Sequence, residues 1–205
     1  MRVISGIHKK MNLEGYNVEG IRPTMDKVKE SIFAMIYEYI DNSIVLDLFS
    51  GTGSLGIEAL SNGAKEVYFI DNSKLSLEIT NKNIQKLKTN NKIVTILSDY
   101  KKALINLEKE SKKFDIIFLD PPYGKIKIKE ILKQINTLNI LNDNGIIICE
   151  YEEEELSDNY DSLELIKDRK YGKTSVKIYK RRYYYACNNK RWRDWWTYIS
   201  CFINN

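Results

Sequence analysis

Apolar and polar positions divide most of the chain into short apolar runs separated by longer stretches in which apolar residues return every three or four positions. The runs are residues 44–49 (IVLDLF), 67–70 (VYFI), 93–97 (IVTIL), 114–119 (FDIIFL) and 146–149 (IIIC). Each reads as a strand buried on both faces. Between them, Leu55, Ala59 and Leu60, then Leu77, Ile84 and Leu87, then Ala103, Leu104 and Leu107, then Ile128, Ile131, Leu132 and Ile135 follow helical spacing. Asn62-Gly63 and Asn144-Gly145 read as stops. Strands alternating with helices of this length predict an α/β fold of Rossmann-like type, its mostly parallel sheet covered on both faces because each crossover is long and right-handed.

Upstream, Val28, Ile32, Ile36 and Ile40 recur every four residues after Arg22-Pro23-Thr24. The spacing predicts one amphipathic helix starting near Thr24, with Pro23 in the extended approach to it. Residues 1–22 mix short apolar stretches with Gly6, Gly15 and Gly20, which fits a small hairpin or arm. Near the other end, residues 163–166 and 175–179 flank Tyr171-Gly172-Lys173 and read as an antiparallel finish, bringing the sheet to seven strands.

The 205 residues, 43% hydrophobic and 29% charged, describe a globular chain with one sizeable core rather than a disordered or disulfide-stapled one. The formal charge is +4, but residues 181–205 hold five of the bases and one acid, which leaves residues 1–180 neutral at 27 against 27. The same segment holds Trp192, Trp195, Trp196, Cys187 and Cys201. It shows neither helical nor strand periodicity, and reads as a frame-shifted or read-through extension, with an accessory RNA contact and a structural cap as the other readings. No apolar window has the length of a membrane span and MRVISGIHKK lacks a secretory signal's apolar stretch, so the cytoplasm is the expected location. Cys149, Cys187 and Cys201 stand far apart, and no metal site is expected.

Ligands of open α/β sheets bind outside the carboxyl ends of the strands. Four acids fall at or near such ends: Asp47, Asp71, Asp99 and Asp120. After the first strand comes Ser50-Gly51-Thr52-Gly53-Ser54-Leu55-Gly56, a G-x-G-x-x-G pattern that lets the main chain approach a ligand at a helix N-terminus. Many strand-to-helix turns look similar, but Asp71 ends the next strand, where a carboxylate can accept from both hydroxyls of a ribose. Nicotinamide hydride transfer and methyl transfer from S-adenosylmethionine both use such a site. Asp47 lies inside the strand where a nicotinamide domain has an apolar residue, and a carboxylate there can hold the ammonium group of a methionine moiety.

Asp120-Pro121-Pro122-Tyr123 then decides for methyl transfer. Two prolines fix φ and remove two N–H donors, so the loop presents carbonyl acceptors rigidly beside a carboxylate and an aromatic ring. Such a loop suits a planar base bearing an exocyclic –NH₂, whereas a plain Pro-Pro turn closing a strand is the simpler reading of the same residues.

DLFSGTGSLGIEAL (47–60) with DPPY (120–123) resembles the class I methyltransferases that modify exocyclic nitrogens of nucleic acid bases. MRVISG at the start, RPTMDKVKESIF (22–33) and KYGKTSVKIY (170–179) resemble the RsmD-type methyltransferases of bacterial small-subunit rRNA. The resemblance covers residues 1–180 and implies an RNA-contacting arm (1–22), a class I methyltransferase domain (23–180) and methyl transfer from S-adenosylmethionine to N2 of a guanine, position 966 of 16S rRNA. It puts Asp47, Ser50, Gly51 and Gly53 around the methionine end of the cofactor, Asp71 on its ribose and Asp99 near its adenine amine. Asp120, Pro121, Pro122 and Tyr123 would hold the guanine. Arg2, His8, Lys9, Lys10, Arg22, Lys170 and Lys173 would grip RNA, although the family has a glycine where this chain has Lys10. The implied partner is 16S rRNA or an assembling 30S subunit, bound by a monomer.

Residues 167–180 supply a local basic excess through Lys167, Arg169, Lys170, Lys173, Lys177 and Lys180 against Asp168, while Glu152 to Glu155 read as a solvated acidic face. Three other functions share parts of this pattern. A DNA adenine or cytosine amino-methyltransferase would need a recognition domain for which the chain has no room. A nicotinamide oxidoreductase conflicts with Asp47 and the proline pair, and a non-catalytic ribosome-assembly protein would have a damaged cofactor loop.

Overall fold

The structure, a computed structural model, describes residues 1–15, 23–122 and 126–182. Two helices, α1 (Pro23–Met35) and α2 (Tyr37–Ile40), precede an alternation of β1 (Ile44–Asp47), α3 (Ser54–Ser61), β2 (Glu66–Asp71), α4 (Lys74–Gln85), β3 (Lys92–Leu97), α5 (Tyr100–Lys109), β4 (Phe114–Leu119), α6 (Ile128–Leu138) and β5 (Leu141–Tyr151). The chain then turns antiparallel through β6 (Asn159–Tyr160), β7 (Leu163–Tyr171) and β8 (Thr174–Arg181). One sheet results, in the order β3-β2-β1-β4-β5-β8-β7-β6, with β1 to β5 parallel. It has eight strands among the described residues rather than the seven expected, because the two-residue β6 adds an edge too short to leave a periodic signature.

β1, β2, β4 and β5 are apolar and buried on both faces, whereas β3, expected to be buried like them, is only partly buried because it forms the edge of the sheet. Leu46, Ile70, Ile117, Leu119 and Ile147 face Leu104, Leu107, Ile131 and Leu132 of α5 and α6. Val45, Phe69, Ile116, Phe118, Ile146 and Ile148 face Ile32, Phe33 and Ile57 of α1 and α3. At ~1.5–3 kcal/mol per fully buried large apolar side chain, this double layer is the main stabilising term. At Gly56 helix α3 lies close against the sheet: an added Cβ would lie 2.3 Å from the Phe69 ring.

Three expectations are corrected. Pro23 is the first residue of α1, where its missing N–H costs nothing, rather than part of an extended approach. The four-residue repeat is broken at Ile36 (φ −108°, ψ 10°), yet Val28, Ile32, Ile36 and Ile40 are all buried. The stop after α6 is Asn139, left-handed at φ 53°, and Asn144-Gly145 instead lies inside β5. There the β4–β5 register jumps from Phe114↔Leu141 to Ile116↔Ile146, so residues 142–145 bulge outward.

The N-terminal arm is a short hairpin: Arg2 pairs with Asn12, and Val3 and Met11 are joined by the Val3 N–H donating to the Met11 carbonyl at 2.9 Å. At the far edge β8 runs on through Arg181, whose guanidinium donates to the Leu141 carbonyl, and the Arg182 N–H donates to the Ser162 carbonyl. The sheet thus continues into the segment where the composition changes, while residues 183–205, including all three tryptophans, lie outside the described residues.

Candidate active site

At the carboxyl ends of β1, β4 and β5 lies a cavity of about 340 Å³. It is lined by Asp47, Ser50, Gly51, Asp120 and Glu150 from the sheet side and by Asp26 and Lys29 of α1, with Met1 and Gly15 of the arm also at its wall. The register explains the convergence. Asp47 pairs with Phe118, and Leu119 pairs with Cys149, so Asp120 and Glu150 leave neighbouring strands side by side, two positions beyond Phe118 and Ile148. A spacing of two returns side chains to one face, here the face covered by α1 and α3.

Asp47 is 2% exposed and accepts the Gly56 N–H at 3.0 Å. Lost hydration outweighs that bond and, with the Asp71 charge adding to it, pushes its carboxyl up to about 7. Asp120 is likewise pushed up to about 7, by lost hydration first and the Asp47 charge second. Ser50 is buried and its hydroxyl has no hydrogen-bond partner among the described residues. A buried hydroxyl at a cavity wall, without a partner among the described residues, is placed to take a ligand atom.

The loop between β1 and α3 is held from behind. Asp71 accepts the Gly51 N–H through one oxygen and the Ser73 N–H through the other, both at 2.8 Å. Thr80 donates to the Gly51 carbonyl at 2.9 Å. Gly53 is left-handed at φ 81°, and an added Cβ would meet the Thr80 methyl at 2.9 Å, so this position requires glycine.

The expected site residues therefore divide. Asp47, Ser50, Gly51 and Asp120 are brought together at the cavity. Asp71 braces the loop from the end of β2, and Asp99 is an exposed N-cap of α5, accepting the Lys101 N–H at 2.9 Å. Pro121 is buried and Pro122 exposed at the start of the loop after β4, while Tyr123 lies outside the described residues, as does Arg22.

Sequence reasoning missed Lys29, Glu58 and Glu150. Glu58, fully buried in α3, accepts the Ile4 N–H at 2.9 Å, the Ser5 N–H at 2.7 Å, the Ser5 hydroxyl at 2.8 Å and the Lys29 ammonium at 3.0 Å. Lys29 also donates to the Arg2 carbonyl at 2.7 Å and the Ser54 hydroxyl at 3.1 Å. One buried pair thus fastens the arm to α1 and α3 at the edge of the cavity. Glu150 could have been found by the rule that singled out the other strand-end acids.

Of the basic residues, Lys9, Lys10, Lys170 and Lys173 are exposed, and Arg2 is exposed beside Asp26 at 3.6 Å. His8 is half-buried, its N–H on the Ser61 hydroxyl. The arm reaches α1 through Lys29, and the β7–β8 turn reaches it through a Ser31–Tyr171 hydroxyl contact, so both basic segments flank one helix. Lys177 does not belong to this surface: it is buried on β8 and held by the Leu156 carbonyl and Asp158, each at 2.9 Å. Glu154 is likewise more than a solvated acid, since its carboxylate accepts the Ile128 and Lys129 N–H groups and caps α6 behind the Pro-Pro loop.

The chain is similar to known proteins over most of its length. The family described as Conserved hypothetical protein 95 matches residues 1–180. A Bacillus subtilis (strain 168) protein named "Putative rRNA methyltransferase YlbH" is 40% identical over 183 residues, 89% of this chain and 100% of its own. "Ribosomal RNA small subunit methyltransferase D" of Haemophilus influenzae is 32% identical over 180 residues, 88% of this chain and 93% of its own. Among solved structures, "Putative methyltransferase yhhF from Escherichia coli" superposes with a TM-score of 0.77 at 25% identity, covering 89% of this chain and 98% of that one.

Proposed function

The chain belongs to the family described as Conserved hypothetical protein 95, and from that premise we propose that it methylates the exocyclic N2 of a guanine in 16S rRNA, guanine 966, using S-adenosylmethionine. The observation that carries the reading is the meeting of Asp47, Ser50 and Asp120 at one cavity, two of them acids with raised pKa and the third an unpartnered buried hydroxyl. The donor set fits the cofactor. Asp47 is a buried carboxylate suited to an ammonium, Ser50 offers a free hydroxyl to a carboxylate, and at Gly51 an added Cβ would stand in open space with nothing within 4 Å. Asp71 and Asp99, one strand and two strands further along the sheet, are the groups proposed for the ribose and the adenine amine.

Bound there, S-adenosylmethionine would supply a methyl group on a sulfonium: the guanine N2 lone pair would attack that carbon in line, forming the N–C bond as the thioether leaves with the C–S electron pair. The residues have a positioning task. The Asp120 carboxylate and the Pro121 carbonyl accept from N2–H and favour a pyramidal nitrogen with its lone pair aimed at the methyl carbon. N2 then loses one proton, for which the Asp120 carboxylate is the proposed acceptor. Such preorganisation supplies on the order of 7–11 kcal/mol. The base leaves its stack to reach the cavity, and Tyr123 is the proposed ring to receive it.

Lys9, Lys10, Lys170 and Lys173 are proposed to meet RNA phosphates on either side of α1, with Arg2, His8 and Arg22 adding to the arm's share. No helix among the described residues is long and apolar enough to cross a membrane. A cytoplasmic monomer acting on rRNA or an assembling 30S subunit is the setting proposed. The test is incubation with methyl-labelled S-adenosylmethionine and, separately, naked 16S rRNA, 30S particles and duplex DNA. Label on a guanine N2 of the rRNA or the particle is expected; label on DNA adenine, or none, overturns the reading.

A further inference from the structure

Glu150 has no task in the chemistry above, yet it lines the cavity beside Asp120. The strand order β1-β4-β5 sets the three acids in a row: Asp47 next to the glycine-rich loop, Asp120 in the middle and Glu150 on the side away from that loop. A base whose amino group sits at Asp120, facing a methyl donor on the Asp47 side, has its ring edge turned toward Glu150. Resting on the guanine-N2 reading, we propose that Glu150 is the specificity-determining residue that reads the base, its two carboxylate oxygens accepting N1–H and one N2–H of guanine.

The hydrogen-bond inventory makes this selective. Guanine presents N1–H and N2–H₂ as adjacent donors, a match for the two oxygens of a carboxylate, and the second N2–H remains to be shared by Asp120 and the Pro121 carbonyl. Adenine and cytosine place a ring-nitrogen lone pair beside their amino group, so the same carboxylate would lose one hydrogen bond and set two lone pairs against each other. A bidentate pair of this kind discriminates by ~1–3 kcal/mol, roughly 5- to 150-fold. The acid that excludes the other two amino-bearing bases therefore stands on β5, outside the Asp-Pro-Pro-Tyr loop.

The experiment uses 16S rRNA ligated from pieces carrying either guanine or 2-aminopurine at the position the wild-type protein methylates, with kcat/KM measured on both. 2-Aminopurine keeps the N2 amino group but has a lone pair at N1. Wild type should prefer guanine by roughly 10–10²-fold. Glu150→Gln presents one acceptor and one donor, the complement of 2-aminopurine, and should invert the preference while cofactor binding and the unfolding midpoint stay near wild type. Glu150→Ala should abolish the preference. A guanine to 2-aminopurine ratio unchanged in Glu150→Gln, or a parallel loss on both bases, would overturn the assignment of Glu150 and leave the methyltransferase reading standing. Absence of guanine methylation by the wild type would overturn both.

Discussion

The anchor beneath the N-terminal arm and the floor of the cavity are both built on buried carboxylates, at 0% exposure for Glu58 and 2% for Asp47, yet they are completed differently. Glu58 receives backbone, hydroxyl and ammonium donors from Ile4, Ser5 and Lys29. Asp47 receives the Gly56 N–H, and among the described residues Asp120 receives no hydrogen bond. Burial alone therefore does not mark a functional acid. What separates the two regions is whether the protein itself supplies the positive partner or leaves that to a ligand.

The comparison is easiest to break at Glu58. Removing one partner of a buried ion pair leaves an unpaired charge and costs ~3–5 kcal/mol. Glu58→Ala should lower the unfolding free energy on that scale in a denaturant titration, whereas Asp47→Asn at pH 7 should leave it unchanged or raised. Equal losses in both variants would erase the distinction. Next in size is Asp120→Ala, expected to slow methyl transfer roughly 10²-fold, the scale of losing a positioned catalytic group, with cofactor affinity near wild type. Near-normal turnover would remove Asp120 from the chemistry.

The raised carboxyls also predict a pH dependence. Asp47 and Asp120 hold protons up to about 7 in the fold but only to about 3.8 when unfolded, so between those values the native state binds more protons. The stability of the ligand-free protein must then fall as pH rises through that window. A cationic ligand at Asp47 favours its ionised form, so cofactor binding at pH 6 should release protons. Calorimetry in two buffers of different ionisation enthalpy reads this directly, and a heat independent of buffer would contradict it. The smallest effect is on the arm that Glu58 holds. Lys10 is left-handed at φ 74°, and Lys10→Gly should raise stability by about 0.5–1 kcal/mol, visible as a later denaturant midpoint.

Much of this was legible along the chain because it is local. Strand-end acids follow from where the apolar runs stop, the Gly51–Gly53 turn from its glycines, and the Asp120 loop from its prolines. Glu58 and Lys29 were hidden because their partners are distant: Ile4 and Glu58 are 54 residues apart, and nothing in an apolar helix pattern announces a buried cation on the next helix. Glu150 was obscured by the acidic run Glu152–Glu155 that follows it, which resembles a solvated face. The basic cluster around Lys177 conceals which member turns inward, and only the carbonyl of Leu156 and the carboxylate of Asp158 show it. Asn139, the true helix stop, was masked by the stronger Asn-Gly signal a few residues later, which belongs to a bulge.

The place of β8 in the sheet has a consequence for synthesis. It lies between β5 and β7, so β5 has only one hydrogen-bonded neighbour until the chain reaches Arg181. Every acid at the cavity has been made by then. A nascent chain that has completed its cavity residues still carries Ile146, Ile147 and Ile148 on an open edge, the kind of edge that recruits other strands. Among the described strands the β7–β8 hairpin is thus a closure that arrives last, and growth arrested before Arg181 would leave an adhesive intermediate in which the cavity residues are present but the sheet is unsealed.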